Sequence, residues 1–382
     1  YTNVDFSAPA FKRYQSEKDG DGGISPGKLV FTSDLEKYAN RQCRLIVEEI
    51  VGKRSPTETN VGGPGVVAAI HAAQLSSNKD IDVLFYGVRG DDETGVRIYN
   101  VLSKTPLNIE HYFAVEGRSP TTIVLSDPEY RGGEGERAFI NTIGAAWNYK
   151  PEDIGTEFFS SDILLFGGTA LVPRIHAGLY GLLKKAKDRS SFTAVSTVYD
   201  FLNQQRKPEE PWPLGEDGNS YPLIDLLIVD REEALRLSDT ASSEEALDRF
   251  RSKGVKAVII TNGAEDVLLS ASSPLFNPIE HKTMPISQAV REELRLFPEK
   301  RGDTTGCGDN FVGGVLASLA EQLTSSAANE KLDIEEACSL GIVSGGYACY
   351  YAGGTYLESH EGEKAEHIKV YLEAYKQQLR EN

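Results

Sequence analysis

The sequence predicts an α/β protein whose mainly parallel central sheet is covered by helices. Two observations predict this fold class. After residue 60, short apolar runs typical of buried strands alternate with longer stretches at helical spacing, as in parallel strands joined by helices. Near the C-terminal third, at residues 303–314, a glycine-rich turn leads straight into an apolar helix.

Five apolar runs are predicted to be strands, at residues 83–88, 163–168, 192–200, 226–230 and 257–263. The predicted helices are at residues 173–189, 232–237 and 243–253, and another apolar helix leads to Leu75. Two segments depart from this alternation. Residues 6–35 are polar and rich in glycine, and residues 108–142 resemble strand pairs around a glycine turn, so exposed hairpins are one interpretation of both.

Composition and charge exclude several classes. A chain of 382 residues can hold one large or two ordinary domains, and 40% hydrophobic with 25% charged residues is typical of a soluble globular enzyme. The net charge of −17 argues against nucleic acid and anionic membranes as partners. No apolar run approaches the ~18 residues of a membrane span, and no signal peptide is visible. Because the four cysteines and six histidines lack metal-site spacing, we expect reduced thiols and a cytoplasmic protein.

The most informative segment, residues 303–314, reads DTTGCGDNFVGG. Gly306 and Gly308 let the backbone turn sharply, and free N–H groups at a helix N-terminus bind anions, phosphate especially. Asp309 in the first turn then suits a base that takes a proton from a hydroxyl. The N–H groups of Gly306, Cys307 and Gly308 would receive the charge that develops on a transferring phosphoryl group. A plain aspartate N-cap after a glycine turn is the alternative.

Two further glycines, Gly313 and Gly314, lie inside the helix that follows. Each costs roughly 1 kcal/mol of helix stability relative to alanine. We therefore expect another part of the molecule, or a ligand, to approach the helix closely at this pair.

The segment DTTGCGDNFVGG resembles the C-terminal pattern of the ribokinase-like (PfkB-type) carbohydrate kinases, Asp-Thr-x-Gly-Ala-Gly-Asp-x-Phe-x-Gly-Gly, with Cys307 in place of alanine. A second stretch resembles the family's N-terminal pattern, which consists of a Gly-Gly sugar loop, a helix, a strand and Gly-x-Asp-x-x-Gly. The corresponding parts of this chain are residues 62–65 (GGPG), the helix after them and residues 85–95 (FYGVRGDDETG). The match runs in order over about residues 60–357. The C-terminal pattern is the more specific of the two.

The resemblance implies one ribokinase-like domain over residues 1–382, with three α/β/α layers. Segments at about residues 6–35 and 108–142 would form a small β-lid over the substrate. Because two lids often pack together in the family, the resemblance also implies a homodimer through these segments. The implied reaction is the phosphorylation of a hydroxyl of a sugar or sugar-like small molecule, with ATP as donor and Mg²⁺ as cofactor. A monovalent cation is an optional further cofactor. A nucleoside such as adenosine is the alternative acceptor. A non-catalytic sensor that binds a sugar or nucleotide on the same fold is the alternative class.

On the nucleotide side, the resemblance points to Asp230, Glu233, Thr261, Gly263 and Thr304. Asp230 and Glu233 stand where the family has Asn-x-x-Glu, a pair that organises phosphate and Mg²⁺ through water. A helix N-terminus with acidic residues in its first turn is the structural alternative. Thr261 and Gly263 resemble a Thr-x-Gly nucleotide loop that lacks its second glycine, and a plain exit from strand to turn is the alternative.

On the acceptor side, the resemblance points to Gly62, Gly63, Arg137 and Asp303. The glycine pair would let sugar hydroxyls approach the backbone. Arg137 resembles an arginine near the phosphoryl donor or the substrate, and a solvated lid arginine fits equally. Val67 stands where the family has a sugar-binding asparagine, so that contact comes from elsewhere or the substrate differs from ribose and fructose. The family's first-strand substrate aspartate is either Asp5 or a residue upstream of Tyr1.

Overall fold

The computed structural model describes residues 1–18, 20–133, 135–215, 219–325 and 330–381. Its strands are β1 (Thr2–Asn3), β2 (Leu29–Phe31), β3 (Gly87–Gly90), β4 (Tyr112–Val115), β5 (Thr121–Asp127), β6 (Glu136–Thr142), β7 (Ile163–Gly167), β8 (Phe192–Ser196), β9 (Leu226–Asp230), β10 (Ala257–Asn262), β11 (Glu265–Ala271) and β12 (Ile279–Met284). Its α-helices are α1 (Pro9–Lys12), α2 (Thr32–Ala39), α3 (Cys43–Val51), α4 (Pro64–Ser76), α5 (Glu93–Leu102), the short turn α6 (Tyr130–Gly133), α7 (Pro173–Ala177), α8 (Leu179–Asp188), α9 (Phe201–Arg206), α10 (Arg231–Ser238), α11 (Ser243–Ser252), α12 (Gln288–Leu296), α13 (Cys307–Ser325), α14 (Ile334–Tyr347) and α15 (Glu363–Glu381). Among these described residues, no helix has both the length and the apolar composition needed to cross a membrane.

The largest sheet contains six strands in the order β12-β11-β10-β9-β8-β7. Strands β7 to β10 are parallel, and the antiparallel strands β11 and β12 extend one edge without having been predicted. The strands predicted at residues 163–168, 226–230 and 257–263 are confirmed to within a residue. The run at residues 192–200 forms a shorter strand than predicted, because Asp200 instead caps α9 by accepting a hydrogen bond from the Asn203 N–H at 3.0 Å.

The strand predicted at residues 83–88 is only partly correct. Strand β3 covers its last residues and pairs in parallel with β4 in a separate two-stranded sheet. Upstream, an isolated bridge joins Leu84 to Asn108. The pairing is interrupted at Tyr86, whose ring stacks on the His111 ring at a centroid distance of 4.2 Å.

The helix predicted at residues 173–189 is instead two helices, α7 and α8, that meet at Gly178. A Cβ atom at Gly178 would lie 2.3 Å from Cγ of Pro151, so this bend packs too closely for any other residue. The helices predicted at residues 232–237 and 243–253 are confirmed as α10 and α11, and a side chain caps the N-terminus of each.

Helices cover both faces of the six-stranded sheet, so the predicted three layers are confirmed. On one face, α7, α8, α10 and α11 enclose an apolar cluster that includes Leu179 and Phe250. On the other face, α4, α13, α14 and α15 enclose a second cluster that includes Val315 and Ile342. Burial of this apolar surface is the main term that favours the folded state.

The glycine pair inside α13 lies where its neighbours come closest. A Cβ atom at Gly313 would lie 2.5 Å from the carbonyl oxygen of Ala68 in α4. At Gly314 it would lie 2.4 Å from Oγ of Ser344 in α14. The predicted close approach is confirmed, and helix packing accounts for it.

A second sheet, with the order β1-β5-β6-β2, contains strands of both predicted lid segments and is called the lid sheet here. Residues 108–142 contain the predicted strand pair, since β5 and β6 are antiparallel with Ser126 opposite Arg137. Residues 6–35 are less rich in strand than predicted. Among the described residues of that segment, β2 joins the lid sheet, while α1 and the start of α2 are helical.

An apolar core explains why the first lid segment is helical. Phe11 of α1 and Leu35 of α2 are buried together with Leu125 and Ile140 of the lid sheet. Helices of the same chain therefore cover one face of this sheet. The homodimer through the lid stays a prediction, and an open sheet face no longer supports it on that side.

Candidate active site

Asp309 lies in the first turn of α13, as the sequence predicts. The turn before it requires glycine, because Gly306 has a φ of 79° and a Cβ atom there would lie 2.4 Å from Cα of Gly354. At Gly308, by contrast, a Cβ atom would meet no other atom within 4 Å. The space beside the first turn is therefore open.

Several backbone donors at this turn lack backbone partners. Within the described chain, the N–H groups of Gly306, Gly308 and Asp309 donate no hydrogen bond to another backbone group, whereas the Cys307 N–H donates a long one of 3.4 Å to the Thr304 carbonyl. Unpaired N–H groups at a helix N-terminus are suited to an anion. Cys307, predicted to be a full member of this anion hole, is thus already partly engaged.

Three carboxyl groups at the first turns of α10 and α13 hold their protons to unusually high pH. Burial raises the pKa of Asp309 to about 6. Burial, and then the neighbouring charge of Asp230, raise the pKa of Glu233 to about 8, with a smaller contribution from Asp309. Desolvation by the surrounding protein also raises the pKa of Asp230. Since the charge of Asp309 acts on Glu233, the predicted base and the predicted acidic pair share one site.

Asp230 and Glu233 form a capping box at the start of α10. The Asp230 carboxylate accepts a hydrogen bond from the Glu233 N–H at 2.8 Å, and the Glu233 carboxylate accepts one from the Asp230 N–H at 3.2 Å. The Thr197 hydroxyl donates a further bond to Glu233. The helix N-terminus with acidic residues in its first turn, which was the structural alternative for Asp230 and Glu233, is therefore present. Its capping hydrogen bonds fix the positions of both side chains.

Thr261 and Gly263 lie beside the acidic pair. Thr261 is the register partner of Asp230 in the parallel pairing of β10 with β9. Gly263 has a φ of 57° in the turn between β10 and β11, and a Cβ atom there would meet nothing within 4 Å. The predicted nucleotide residues Asp230, Glu233, Thr261 and Gly263 thus come together at one edge of the central sheet.

Arg137 connects the lid to the loop before α13. Its guanidinium donates hydrogen bonds to the hydroxyls of Thr304, at 2.8 Å, and of Thr305. It also lies 3.9 Å from the Asp303 carboxylate, which accepts hydrogen bonds from the N–H groups of Thr305 (2.7 Å) and Gly353 (3.3 Å). Arg137 is therefore a bound lid residue and not a solvated one.

A large cavity of about 2220 Å³ lies under the lid. The glycine loop at Gly62 and Gly63 lines it at the start of α4, and Thr122 and Asn141 line it from the lid. Thr305 belongs to the same wall, but Asp309 does not. The cavity thus reaches the edge of the Asp309 segment and extends away from it, between β3 and β7.

Two positions singled out for the acceptor lie elsewhere. Val67 is buried, and its side chain comes within 2.8 Å of where a Cβ atom of Gly354 would stand. Asp5 is exposed, and its carboxylate accepts hydrogen bonds from the N–H and hydroxyl of Ser7. Neither residue is part of the cavity wall.

The profile of the pfkB family carbohydrate kinases matches residues 32–360. This stretch includes the glycine loop before α4, the acidic pair and the whole Asp309 segment. The chain belongs to this family. The ribokinase-like resemblance of residues 303–314 is thereby confirmed.

Relatives in the family include kinases of a sugar and of a nucleoside. A fructokinase of Vibrio alginolyticus is 25% identical over 264 residues, which cover 68% of this chain and 76% of the fructokinase. An adenosine kinase of Schizosaccharomyces pombe is 22% identical over 313 residues, which cover 76% of this chain and 83% of that enzyme. The family and these relatives imply a phosphotransferase.

Solved structures share the fold at low sequence identity. Adenosine kinase of Anopheles gambiae in complex with P1,P4-di(adenosine-5) tetraphosphate has a TM-score of 0.65 and 18% identity, covering 91% of this chain and 92% of that one. Ribokinase of Arabidopsis thaliana, complexed with ribose and ATP, has a TM-score of 0.60 and 18% identity, covering 84% and 90%. These matches confirm the ribokinase-like α/β fold.

Sequence reasoning missed a buried lysine that supports the Asp309 turn in this pfkB-family chain. Lys364 of α15 is 1% exposed, and its ammonium group donates a hydrogen bond of 2.8 Å to Oδ1 of Asn310. The Asn310 amide in turn donates to the carbonyls of Gly306 and Gly354 at 2.8 and 2.9 Å. Burial lowers the pKa of Lys364 to about 7. The available signal was periodicity, since Lys364 occupies the same helical face as the buried Ile368.

Proposed function

We propose that this chain transfers the γ-phosphoryl group of ATP to a hydroxyl of a sugar or sugar-like small molecule, with Asp309 as the general base. One observation carries the proposal. A carboxyl group whose pKa burial raises to about 6 lies beside unpaired N–H groups at a helix N-terminus. A phosphate-binding helix has no need of a carboxylate in that position, because like charges repel.

The elevated pKa of Asp309 suits the role of base. At neutral pH most of the group is ionised, and its conjugate acid is weaker than that of an ordinary aspartate, so it takes a proton more readily. The open N–H groups of Gly306 and Gly308, aided by the helix dipole, would stabilise negative charge on the transferring phosphoryl oxygens. Both contributions act on the transition state more than on bound substrate.

The nucleotide would lie at the sheet edge that holds Asp230, Glu233, Thr261 and Gly263, with Thr304 at its phosphate end. Burial raises the pKa of both carboxyl groups, and the charge of Asp230 raises that of Glu233 further, so a divalent cation beside the pair would relieve the cost of ionising them. Among the described residues, no cluster of three or more His, Cys, Asp or Glu side chains could hold a metal directly. Asp230 and Glu233 would therefore hold Mg²⁺ through water, and the ion would supply charge neutralisation for the phosphates.

The acceptor would enter beside Gly62 and Gly63. Arg137 and Asp303, which stand together at the boundary of lid and Asp309 segment, would orient the hydroxyl that reacts. Water exclusion by the lid would limit unproductive hydrolysis of ATP. A monovalent cation and a homodimer remain parts of the proposal that rest on the family resemblance.

A nucleoside is the second candidate acceptor, and the lining of the cavity favours it. Aromatic side chains such as Phe85 and Tyr86 belong to that lining. Aromatic rings suit a nucleobase better than a free sugar. The adenosine kinases among the relatives agree with this choice.

The decisive experiment is an acceptor screen with ATP and Mg²⁺ in which sugars and nucleosides are incubated with the chain and product phosphate esters are measured. We expect phosphorylation of at least one acceptor and none by Asp309→Asn. The alternative class, a non-catalytic sensor, predicts tight binding of a sugar or nucleotide without any ester. That outcome, or full activity of the Asn variant, would refute the proposal.

A further inference from the structure

Two cysteines meet beside the Asp309 turn. Sγ of Cys307, the first residue of α13, lies 3.4 Å from Sγ of Cys349, which belongs to the 3-10 turn Ala348–Tyr350. Both are free thiols and both are half-buried. The remaining cysteines, Cys43 and Cys338, are buried elsewhere.

We propose that Cys307 and Cys349 form a reversible disulfide and that this modification slows phosphoryl transfer. The oxidant would be a low-molecular-weight disulfide, for which oxidised glutathione is the probe. Formation of the bond rests on the geometry of the pair alone. The effect on turnover rests in addition on the proposed function.

Geometry favours this pair over any other. A disulfide bond is about 2.05 Å long, so the sulfurs need to approach by little more than 1 Å from their present separation. The two residues are 42 positions apart in sequence, and they meet because α13 and the 3-10 turn pack together. No large rearrangement is required before the bond forms.

The surroundings favour Cys349 as the attacking thiol. Either sulfur can donate the hydrogen bond that joins the pair, and this contact, aided by the positive charge of Arg301, lowers the pKa of Cys349 although burial opposes it. A thiolate is the reactive form of cysteine. The contact with Cys349, and then burial, raise the pKa of Cys307.

The exchange balances in two steps. The Cys349 thiolate attacks one sulfur of oxidised glutathione, and one glutathione leaves as its thiolate. The Cys307 thiol then loses its proton to solvent, and its thiolate attacks Sγ of Cys349, which expels the second glutathione thiolate. In sum, two protein thiols are oxidised to one disulfide, and one oxidised glutathione is reduced to two molecules of glutathione.

The bond would act where displacement matters most. Cys307 is the residue between Gly306 and Gly308, whose N–H groups lack backbone partners in the described chain, and Asp309 follows two positions later. Tying Cys307 to the 348–350 turn pulls this first turn of α13 by a distance on the order of 1 Å. Misplacement of reacting groups by about 1 Å can cost about 10²-fold in rate.

The test measures the bond and the activity separately. Wild-type protein is incubated with oxidised glutathione, and peptide mapping by mass spectrometry then locates any disulfide. We expect a cross-link between the peptides that contain Cys307 and Cys349 and a 10- to 100-fold lower kcat, both reversed by dithiothreitol. Cys349→Ser, with Cys349→Ala in reserve if the serine variant does not fold, should show neither change on oxidation. The matched control Cys43→Ser should behave like wild type.

The outcomes separate this proposal from the proposed function. Absence of the cross-link at millimolar oxidised glutathione, or a cross-link that leaves kcat unchanged, would overturn the inference. Loss of activity on oxidation in Cys349→Ser would place the sensitive group elsewhere and overturn it as well. If the reduced protein phosphorylates no acceptor, the proposed function fails, while the peptide map still decides whether the disulfide forms.

Discussion

The two ends of the candidate site are built in different ways. At the phosphate end, residues 303–310, the backbone is fixed by close contacts, with Gly306 against Gly354 and Asn310 bonded to the carbonyls on both sides. At the acceptor end, the cavity beside Gly62 and Gly63 is wide and is closed in part by lid side chains. Close backbone packing therefore positions Asp309 and the N–H groups at the phosphate end, whereas side chains of several elements line the acceptor end.

The largest effect is expected at the phosphate end, from Asp309→Asn. The amide keeps the shape of the side chain and removes the base, so kcat should fall by about 10²–10⁴-fold while ATP binding stays nearly unchanged. Turnover and calorimetric titration with ATP measure the two quantities. Retention of more than about a tenth of the wild-type kcat would show that Asp309 is not the base.

Two glycine substitutions should separate packing from ligand space. Gly306→Ala forces a positive φ on alanine and a contact of 2.4 Å with Gly354, so it should lower the free energy of unfolding by at least about 1–2 kcal/mol and kcat by about 10²-fold. Gly308→Ala meets no protein atom within 4 Å, so stability should hold while the methyl group obstructs phosphate. Thermal unfolding and turnover check both variants. Equal loss of stability in the pair would contradict the open space at Gly308.

Acid should weaken turnover through Asp309. Because its pKa is raised to about 6, activity should be on a plateau above about pH 7, half of that at pH 6 and about a tenth at pH 5. Activity falls toward acid pH because the base has to be ionised to accept a proton. The measurement is kcat from pH 5 to pH 8 at saturating substrates. A flat profile over this range would exclude a base with this pKa.

A smaller effect is expected from Glu233→Gln, which keeps a hydrogen-bond acceptor for the Asp230 N–H and removes the ability of the side chain to ionise when Mg²⁺ binds. The Mg²⁺ concentration for half activity should rise several-fold, with acceptor preference unchanged. Glu232→Gln, one position earlier in the same helix turn, is the matched control and should leave the Mg²⁺ concentration for half activity unaltered. A changed acceptor profile at normal Mg²⁺ dependence would move Glu233 to the acceptor end.

The smallest effect is expected at the acceptor end. Asn141 donates a hydrogen bond of 2.8 Å to the Thr122 hydroxyl in the cavity wall, so Asn141→Ala should raise KM for the acceptor by about 3- to 10-fold and leave kcat within about twofold. Asp5→Asn, an exposed change outside the cavity, should alter neither constant. A fall in kcat equal to the rise in KM would mean that the two ends are not separable.

Sequence alone predicted the local geometry of residues 303–314 because its determinants lie close together in the chain. Twelve consecutive residues contain the glycines, Asp309 and the helix start, and the Cys307 N–H differs from the prediction in being partly engaged. The lid was harder, because Phe11 and Leu35 become helical through contacts with strands more than 80 residues away. Lys364 was missed for the same reason, since its partner Asn310 lies 54 positions earlier. Helical periodicity can indicate that such a residue is buried, but it does not identify a partner that is distant in sequence.

The contact of Gly313 with Ala68 has a consequence for motion. The loop at Gly62 and Gly63 leads directly into α4, and Asp309 lies in the first turn of α13, so both are attached to helices that pack closely at Gly313. Neither helix can slide past the other without a steric clash at Gly313. We therefore expect the Gly62–Gly63 loop and Asp309 to move together, and any closure of the proposed site to come from elements outside these two helices.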